Sequence, residues 1–488
     1  MQNLTCSSLG MMPNSKDDAS SNYIKLATAL SKGDSICVDN IYYIQTDKPT
    51  KLFNSINIKG INNSKIIIMD GNTTTYFILS SLRIINLNDV CFEYIGNTYK
   101  LLFLCNNNIF IDTVNISNCV FNGNIYLLKY SADTTINPNV VKYGIKKFYF
   151  SNNNINNNRS SFIVLMDVPH DIINISGNTI NNFDNVFLNS GITNNHVFKS
   201  EIELNKKILL CQNNIVICDD NWWSINTGNT GCYYSFINFE GNYCRYINNH
   251  VEGMKNTSGS VELYDLYFNG FYLDYINNFY KNNICFDVNK LTPSLIKAKQ
   301  CINGRGIRYC EGNTFIIEES LAEKFKKPLD SLWCSLYEAV SPMDLCIIRD
   351  NNIDVYKLVP QTTSADIIEV HIINNNIKAR IIQNTFIHQK IMSNKEDYIG
   401  RNIIFSGNII TSDTYGENAT YLISQKDMSD STKDIVVENI IIENNIINVP
   451  VCYLTGEIKS KNIDIKNNLI KLTDIHDINN SNFIKLTK

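Results

Sequence analysis

Apolar and polar residues alternate over short stretches of this chain, and each stretch ends in a small or polar residue, then asparagine, then another apolar residue. The clearest copy is Ile-Asn-Ile-Ser-Gly-Asn-Thr-Ile at residues 173–180. Alternation with a period of two predicts short β-strands, and its return along the chain predicts a solenoid. The asparagines that we assign to this phrase are Asn97, Asn153, Asn178, Asn213, Asn242, Asn283, Asn313, Asn351, Asn375, Asn408, Asn445 and Asn468.

The spacing of these asparagines indicates the type of solenoid. The shortest intervals include 25 residues from Asn153 to Asn178 and 23 residues from Asn445 to Asn468, which fits one coil of three short strands and three turns. The 35 residues from Asn178 to Asn213 fit the same unit with an added loop. Leucine-rich repeats need a regular leucine framework, and helical repeats need alanine, leucine and glutamate, whereas this chain is rich in strand-forming isoleucine, tyrosine and phenylalanine. We therefore predict an all-β fold, a single-stranded right-handed parallel β-helix.

The recurring asparagine has a physical role in such a fold. Asparagine tolerates the left-handed backbone that a sharp turn between strands requires. Equivalent residues of stacked coils lie roughly 4.8 Å apart, so an asparagine at the same turn of each coil can hydrogen-bond to those above and below it. Cys119 follows Asn97 by 22 residues, and we predict that it replaces asparagine in this ladder.

A helical pattern precedes the first coil. Residues 14–30 form the predicted helix, with Asp17 and Asp18 suited to its N-terminus and Gly33 suited to its end. The predicted apolar stripe consists of Ile24, Leu26, Ala27 and Leu30. An open solenoid end would expose strand edges and apolar core, so we assign residues 1–35 as a cap with an N-terminal capping helix.

The same region carries a resemblance to a known superfamily. Its residues are Pro13-Asn14-Ser15-Lys16-Asp17-Asp18-Ala19, then Ile24, Ala27 and Leu30, then Gly33-Asp34-Ser35-Ile36-Cys37-Val38, then Tyr42-Tyr43-Ile44. This motif resembles the N-terminal start of the pectate-lyase-like superfamily, which includes pectate lyases, polygalacturonases and bacteriophage tailspike proteins. The chain has Asn40-Ile41-Tyr42 where the family usually has glycine before tyrosine. The resemblance implies the β-helix fold and no catalytic residue, because the motif is structural.

The repeat covers residues 36–474, which we predict to form one β-helix domain, followed by a C-terminal tail at 475–488. Three stretches depart from the rhythm of the coils and are predicted as loop insertions, at 184–207, 318–344 and 412–433. Insertions of a solenoid cluster on one face and often border its binding groove.

Composition excludes several classes of partner. The net charge of −4, a charged fraction of 18% and the lack of a basic stripe argue against nucleic acid. We expect no membrane span, no secretory signal and synthesis in the cytoplasm, with a virion-associated or extracellular location after lysis. The six histidines lack metal-ligand spacing, so we expect no metal and no cofactor. We expect small buried free thiols at Cys91, Cys211, Cys301, Cys310 and Cys346.

Aromatic residues concentrate in the central coils. They are Trp222, Trp223, Tyr233, Tyr234, Tyr243, Tyr246, Tyr264, Tyr267, Tyr272, Tyr275 and Tyr280. Flat rings with a polar tip suit sugar rings and their hydroxyls, although many of these tyrosines also fit core positions. Adjacent side chains of a strand point to opposite faces, so one of Trp222 and Trp223 should face outward. We take Trp222, Trp223, Tyr233, Tyr234, Arg305 and Arg308 as candidate substrate-binding residues.

Acidic residues supply the candidate catalytic groups. Asp219 and Asp220 precede the tryptophan pair directly. The alternation that places Ser176 outside its coil gives later equivalents that we take to be Glu240, Lys281, Glu311 and Arg349, an outward column of alternating charge. Glu240 and Glu311 would then lie roughly 9–10 Å apart, at the outer limit for inverting glycosidases. A solvated charge ladder of little energetic value explains the same column.

The resemblance does not extend to an enzyme motif. Polygalacturonases carry Asn-Thr-Asp, Asp-Asp, Gly-His-Gly and Arg-Ile-Lys on successive coils, and Asp219-Asp220 alone matches. Lyases of the superfamily use acidic calcium ligands and an arginine base, and Arg305 and Arg308 lie in a comparable region without the motif.

Two hypotheses follow. The first is a glycan-recognising β-helix similar to a tailspike or polysaccharide depolymerase, a hydrolase or lyase with Asp219, Asp220, Glu240 and Glu311 as candidate catalytic residues. The second is a non-catalytic adhesive or structural spike that binds a glycan or a protein. The tailspike resemblance implies a homotrimer with polysaccharide as the partner.

Overall fold

The structure is a computed structural model that describes residues 3–472 with gaps. The gaps are 62, 106–107, 133–142, 184, 192–206, 220–234, 257–263, 286–301, 305–306, 322–332, 336–342, 360–363, 366, 383–386, 391–398, 416–420, 426–435, 450–452 and 456–458. Backbone contacts divide the chain into an N-terminal unit, Met1–Cys244, and a C-terminal unit, Arg245–Lys488. The prediction of a single β-helix domain over 36–474 stays a prediction, and the tail at 475–488 lies outside the described residues.

The N-terminal unit consists of one helix and a series of short strands. The helix α1 is Ala19–Lys32. The strands are β1 Asn3–Thr5, β2 Ser35–Val38, β3 Ile41–Ile44, β4 Thr50–Leu52, β5 Ile56–Gly60, β6 Lys65–Met69, β7 Thr75–Leu79, β8 Ile84–Asn88, β9 Cys91–Ile95, β10 Lys100–Cys105, β11 Phe110–Ser117, β12 Val120–Asn122, β13 Ile125–Ser131, β14 Gly144–Ser151, β15 Asn154–Asn158, β16 Ile163–Met166, β17 His170–Ser176, β18 Thr179–Phe183, β19 Leu188–Ser190, β20 Ile208–Gln212, β21 Ile215–Ile217 and β22 Ser235–Ile247.

Every third strand of this unit pairs in parallel, which defines three faces. Face 1 contains β2, β5, β8, β11, β14, β17 and β20. Face 2 contains β3, β6, β9, β12, β15, β18 and β21. Face 3 contains β4, β7, β10, β13, β16, β19 and the first part of β22. A chain that returns to the same three faces in order is a parallel β-helix, as predicted.

The C-terminal unit repeats this arrangement. Its strands are β23 His250–Glu252, β24 Lys255–Asn256, β25 Tyr264–Ile276, β26 Phe279–Lys281, β27 Ile284–Cys285, β28 Ile302–Gly304, β29 Ile307–Glu311, β30 Thr314–Ile316, β31 Trp333–Ser335, β32 Met343–Arg349, β33 Asn352–Val359, β34 Ser364–Ala365, β35 Ile367–Ile373, β36 Asn376–Ile382, β37 Ile387–Lys390, β38 Ile399–Ser406, β39 Ile409–Tyr415, β40 Tyr421–Gln425, β41 Val436–Glu443, β42 Ile446–Val449, β43 Tyr453–Thr455, β44 Lys459–Lys466 and β45 Leu469–Leu472. Face 1 runs through β25, β29, β32, β35, β38, β41 and β44. Face 2 runs through β23, β26, β30, β33, β36, β39, β42 and β45.

Inward side chains of successive coils stack to form the core. In the N-terminal unit Phe162, Phe187 and Phe236 lie ring on ring, with centroids 5.4 and 5.2 Å apart. In the C-terminal unit the rings of Tyr246 and Tyr275 are parallel at 5.2 Å. Burying one such ring stabilises the fold by about 1.5–3 kcal/mol, so the strand pattern follows from the alternation of large apolar residues.

The helix α1 covers the first coil, as predicted, and Gly33 ends it with φ of 80°. The buried side of the helix differs from the predicted stripe, because Ile24 is 63% exposed while Tyr23 is buried. The Tyr23 hydroxyl donates to the Tyr76 carbonyl at 2.6 Å, which fixes the helix on the sheet. Asp18 occupies the N-cap position without a side-chain cap, and its carboxylate accepts from the Ser15 hydroxyl instead.

The predicted asparagine ladder exists, but one residue makes the left-handed turn and the residue after it makes the hydrogen bonds of the ladder. The left-handed turn is made by the residue before the ladder asparagine, as at Asn152 or Gly177 with φ of 55° and 66°. The ladder asparagine that follows points into the core and bonds to the next coil. Asn153 donates from its backbone N–H and its Nδ2 to Oδ1 of Asn178, at 2.9 and 3.1 Å. The ladder members are Cys119, Asn153, Asn178 and Asn214 in one unit and Asn249, Asn278, Asn313, Asn351, Asn375, Asn408, Asn445 and Asn468 in the other.

Four of the predicted members were wrong, and Cys119 is confirmed. Asn97 is exposed, and the coil before Cys119 presents Val90 at this position, whose carbonyl accepts from Val120. Asn213 is the left-handed residue beside the true member, Asn214. Asn242 and Asn283 lie elsewhere on their coils, so Asn249 and Asn278 take the places predicted for them. At Asn213-Asn214 the adjacent asparagines hide the register, because the turn residue and the ladder residue are of the same type.

The three predicted insertions stay predictions, and the parts of them that the structure describes contain short strands. Leu188–Ser190, inside 184–207, forms β19 and pairs with β16. Trp333–Ser335, inside 318–344, pairs with β33. Ser412 belongs to β39, and Tyr421–Gln425, also inside 412–433, forms β40. The remainder of each insertion lies largely outside the described residues.

Candidate functional site

The structure describes four of the ten residues predicted for the site. These are Asp219, Glu240, Arg308 and Glu311. Outside the described residues lie Asp220, Trp222, Trp223, Tyr233, Tyr234 and Arg305. The described four are distributed over both units, since Asp219 and Glu240 belong to the N-terminal unit and Arg308 and Glu311 to the C-terminal unit.

Arg308 lies at a β-bulge on face 1 of the C-terminal unit. Leu273 pairs with Ile307 and Asp274 pairs with Tyr309, so Arg308 is an extra residue on β29. A bulge redirects the side chain of the extra residue and often occurs beside functional sites. Here it turns the guanidinium of Arg308 across the outer surface, towards the preceding strand.

The bulge builds a cluster that we call the tyrosine–arginine platform: Tyr272, Asp274, Arg308 and Tyr309. The Nε and Nη2 atoms of Arg308 donate to the two carboxylate oxygens of Asp274, at 3.0 and 2.9 Å. The guanidinium carbon lies 4.9 Å from the ring centroid of Tyr309 and 5.9 Å from that of Tyr272. The side chain of Asp274 is only 8% exposed, whereas Tyr272 is 49% exposed. A fixed bidentate cation between aromatic rings is rigid before any ligand arrives.

Glu311 continues the same outer surface. Its carboxylate accepts from Nη2 of Arg349 at 2.8 Å, and Arg349 also lies 3.8 Å from Asp350. The register places Ile276, Glu311 and Arg349 on consecutive coils. Glu311 and Arg349 therefore share one outward column, as predicted, but the residue before Glu311 in that column is Ile276.

Two members of the predicted column belong elsewhere. Lys281 lies on face 2, where its ammonium bridges Glu252 at 3.3 Å and Glu318 at 3.2 Å. Glu240 precedes the left-handed turn at Asn248 by too many residues to share the position of Ser176. The expected distance of roughly 9–10 Å between Glu240 and Glu311 assumed that both residues belong to one column. They do not share a column, so that distance is no longer expected.

Beyond Arg349, face 1 presents a regular outer wall on the coils of β35, β38, β41 and β44. One column consists of Glu369, Asn402, Asn439 and Asn462, in which each amide donates to the preceding coil at 2.8–3.0 Å. The parallel column consists of His371, Ile404, Ile441 and Asp464. Equivalent atoms repeat roughly every 4.8 Å, so the wall presents one row of amides beside one row of mixed character, with the period of the coils.

Glu240 has different surroundings, at the corner between faces 3 and 1 of the N-terminal unit. The next strand segment lies against Lys207, whose carbonyl accepts from Asn242 at 2.9 Å and from Tyr243 at 3.3 Å. Burial lowers the pKa of Lys207 to about 8, against the opposing effect of the Glu240 and Asp167 carboxylates. Lys207 is 1% exposed and Asp167 is 5% exposed. The grouping of buried Asp167 and Lys207 near the partly exposed Glu240 was not expected from the sequence.

His170 lies beside this group. Its ring centroid is 5.7 Å from that of Phe239, and Nδ1 lies 3.1 Å from the Val168 carbonyl. Burial, and then the nearby Lys207, hold the pKa of His170 well below its ordinary value, so the imidazole is neutral at neutral pH. Asp219, in contrast, is exposed, and its backbone N–H donates to Asn182 at 2.9 Å.

Metal and membrane features are reported for the described residues only. There, no three side chains of histidine, cysteine, aspartate or glutamate converge as metal ligands. In the same part of the chain no helix has the length and apolarity that a bilayer span needs.

Comparison with known proteins gives one structural likeness to report. No protein-family model and no curated protein matches this chain. Among solved structures, the catalytic unit of a thermostable GH87 α-1,3-glucanase from Streptomyces thermodiastaticus strain HF3-3 is similar over 96% of this chain and 70% of its own. The identity is 9% and the TM-score is 0.23, a likeness that carries no argument about the activity of this chain.

Proposed function

We propose that this chain is a glycan-recognising parallel β-helix that binds an extended polysaccharide along face 1 of its C-terminal unit. The observation that carries the proposal is the tyrosine–arginine platform, with Arg308 held between two tyrosine rings by Asp274. Exposed rings suit the apolar faces of sugars, and the fixed N–H and O–H groups beside them suit hydroxyls. The wall beyond Arg349 repeats once per coil, so it suits a polymer that repeats once per sugar.

The contacts of Asp274 and Glu311 favour binding without cleavage. Hydrolysis needs one carboxyl group to protonate the glycosidic oxygen and a second to activate water or attack the sugar. Asp274 is engaged by Arg308 and Glu311 by Arg349, both through guanidinium N–H donors at 3.0 Å or less. Neither carboxylate is presented to a glycosidic bond, so the adhesive form of the proposal is the better supported one.

The proposal is tested by affinity electrophoresis of the full chain in gels that contain soluble bacterial and plant polysaccharides. A binding polymer should retard the protein, and Tyr272→Ala should weaken that retardation about tenfold, since an exposed ring is worth ~0.5–1.5 kcal/mol beyond its area. Tyr99→Ala is the matched control, because Tyr99 is 46% exposed but lies in the N-terminal unit. Equal effects of the two substitutions, or no retarding polymer at all, would contradict the proposal.

The depolymerase hypothesis is the second candidate, and it is supported only by the acidic residues away from the platform. It predicts new reducing ends or unsaturated products when the chain is incubated with a polymer that it binds. Asp219→Asn, Asp220→Asn and Glu240→Gln should then lower the rate, whereas Glu311→Gln should not. If all four variants release product at the native rate, none of the predicted carboxylates is catalytic.

Two further predictions accompany the tailspike form of this proposal. Assembly into a homotrimer and a virion-associated or extracellular location both come from the tailspike resemblance. Light scattering of the purified chain tests the first, and a monomer would weaken the tailspike form of the proposal without affecting glycan binding.

A further inference from the structure

The charged side chains on the outer surface of face 1 in the C-terminal unit are paired with one another. Arg308 donates to both carboxylate oxygens of Asp274, and Arg349 donates to Glu311 at 2.8 Å. Near the end of the wall the ion pairs are Lys461–Glu438 at 3.8 Å, Lys466–Glu443 at 3.1 Å and Lys466–Asp464 at 2.8 Å. Each of these cations therefore already has a carboxylate partner.

The other charges that the structure describes on this surface do not change its balance. The register of β38 and β41 places Arg401 beside Glu438. The carboxylate of Glu369 accepts from Nδ2 of Asn402 at 2.8 Å and lies 3.5 Å from Nε2 of His371. Carboxylates thus outnumber cations on the described part of the surface. An acidic polymer, one with uronate or sulfate groups, would meet charge of its own sign there.

The uncharged row of the wall is complementary to hydroxyl groups. Asn439 donates from Nδ2 to Oδ1 of Asn402 at 2.9 Å, and its own Oδ1 accepts from Nδ2 of Asn462 at 3.0 Å. A carboxamide has two N–H donors and an oxygen with two lone pairs, so the row uses one donor and one lone pair of Asn439 and leaves one of each for a ligand. A sugar hydroxyl both donates and accepts, so this amide can satisfy it without a formal charge.

The neighbouring row adds aliphatic side chains at its centre. Ile404 follows Asn402 by two residues, Ile441 follows Asn439 in the same way, and both isoleucines are partly exposed. Two residues along a strand span roughly 6.6 Å, and side chains two residues apart lie on the same face. Each of these two coils therefore presents an amide and an aliphatic group side by side, which suits the hydroxyl edge and the C–H face of one pyranose ring.

We propose that the polymer bound along face 1 of the C-terminal unit is a neutral polysaccharide, one without uronate, sulfate or phosphate groups. The inference rests on the proposed function and adds the chemical class of its ligand. Hydroxyl groups need the donors and acceptors that the amide row offers, whereas anionic groups need cations that are not already paired. Binding should therefore persist at high salt, because screening weakens interactions between charges and leaves hydrogen bonds and apolar contacts largely unchanged.

The test is equilibrium binding of the full chain to immobilised polysaccharides in matched pairs. The pairs are dextran with dextran sulfate, and polygalacturonic acid and alginate, each with its carboxyl-reduced neutral form. We expect the affinity for a neutral polymer that binds to change by less than about twofold between about 0.05 and about 0.5 M sodium chloride. The acidic member of the same pair should bind at least about tenfold more weakly.

Asn439→Ala tests whether the amide row contacts the polymer. The substitution should weaken binding of the neutral polymer about two- to tenfold, which is the effect of one hydrogen bond. The matched control is Asn376→Ala, because Asn376 donates to Asn352 at 3.0 Å in a similar exposed amide pair on face 2 of the same unit. The control should leave the affinity unchanged.

The outcomes separate this inference from the proposed function. Tighter binding of the acidic polymer, with an affinity that falls at high salt and on Tyr272→Ala, would overturn the inference and leave glycan binding on this face intact. Equal effects of Asn439→Ala and Asn376→Ala would also overturn it, since the amide row would then not contact the polymer. Absence of binding to every polymer would instead contradict the proposed function itself.

Discussion

The buried residue Asn375 forms hydrogen bonds to the coils on both sides of it. Its backbone N–H and Nδ2 both donate to Oδ1 of Asn408 at 3.0 Å, and Nδ2 also donates to the Ile348 carbonyl at 3.0 Å. Its own Oδ1 accepts from the backbone N–H and Nδ2 of Asn351, at 3.1 and 2.9 Å. All polar atoms of a residue that is 1% exposed are thereby satisfied.

Replacing Asn375 by alanine should therefore be costly. The substitution leaves the donors of Asn351 facing a buried methyl group, and a buried polar group without its partner costs about 1–3 kcal/mol. We expect the free energy of unfolding, measured by urea denaturation, to fall by that amount.

The next residue supplies the control for this substitution. Asn376 also belongs to an amide pair, donating to Asn352 at 3.0 Å, but it is exposed. Asn376→Ala should change the free energy of unfolding by less than about 0.5 kcal/mol. Similar losses in the two variants would show that burial does not account for the contribution of the ladder to the free energy of unfolding.

The cysteines lead to a second prediction at this scale. Burial raises the pKa of Cys119 and of Cys346 to about 12. Both thiols therefore stay protonated at pH 8 and should not react with a thiolate-specific disulfide reagent until the chain unfolds. Ionisation favours the unfolded state, where the thiol pKa is lower, so this stability contribution is present below pH 8.5 and decreases above it.

Peptide mass spectrometry after labelling should therefore find Cys119 and Cys346 unmodified in the native chain and modified in denaturant. Rapid labelling of Cys119 in the native state would contradict its buried position. Of the five thiols expected to be buried, Cys211, Cys310 and Cys346 are buried, Cys91 is partly exposed, and Cys301 lies outside the described residues.

At the scale of residues, the sequence was informative about chemistry and less so about register. The presence of a turn asparagine in each coil was predictable from its spacing, and Asn153, Asn351 and Asn468 were placed correctly. The failures at Asn213 and Asn283 arose beside a second asparagine, Asn214 and Asn282. Only the direction of the side chain separates a residue that makes the turn from one that bonds to the next coil.

At the scale of elements, the β-bulge in β29 decides the geometry of the candidate site. The extra residue on β29 is Arg308 itself, and its guanidinium covers the carboxylate of Asp274, whose side chain is 8% exposed. An ion pair of this kind contributes more than a fully solvated pair, though solvent at Arg308 reduces its value.

Arg308→Met should therefore destabilise the C-terminal unit. The substitution removes two guanidinium N–H donors from Asp274, and we expect a loss of about 1–2 kcal/mol in the free energy of unfolding after allowing for the exposure of Arg308. The control is Lys378→Met, which removes an ion pair to Asp354 whose members are 69% and 51% exposed. That variant should stay within about 0.5 kcal/mol of the native chain. A larger loss from Lys378→Met than from Arg308→Met would count against the platform as a rigid unit.

The bulge also explains which part of the candidate site the sequence could not provide. Arg308 and Glu311 were identifiable as charged residues near the aromatic coils, and both lie on the outer surface of β29. Asp274 was missed because strict alternation gives no sign of an extra residue. Its partner in sequence, Tyr275, turns inward and stacks on Tyr246, which is the position that alternation predicts.

At the scale of the whole molecule, each of the two units is a stack of equivalent coils joined at equivalent points. The coil that ends at Asn408 begins 33 residues earlier, after Asn375, and both asparagines precede a strand of face 2. In repeat architectures stability is approximately a sum of unit and neighbour contributions. The fold could be predicted as a whole because so many copies of one phrase support it.

Removal of one complete coil should consequently be tolerated. Deleting residues 376–408 joins Asn375 to Ile409, which recreates the native junction of Asn408 with Ile409. We expect this variant to keep a β-rich circular dichroism spectrum and a cooperative unfolding transition. Deleting only 376–391 removes about half a coil and should abolish both. Equal behaviour of the two deletions would contradict the equivalence of the coils.

The direction of the amide bonds within each unit has a consequence of its own. Every ladder asparagine offers hydrogens to the coil that follows and an oxygen to the coil that precedes, from Asn249 to Asn468 without reversal. The small dipoles of the carboxamides therefore add rather than cancel. The column therefore has a net dipole, with its negative end at the first asparagine and its positive end at the last. Its two ends would attract ions of opposite charge.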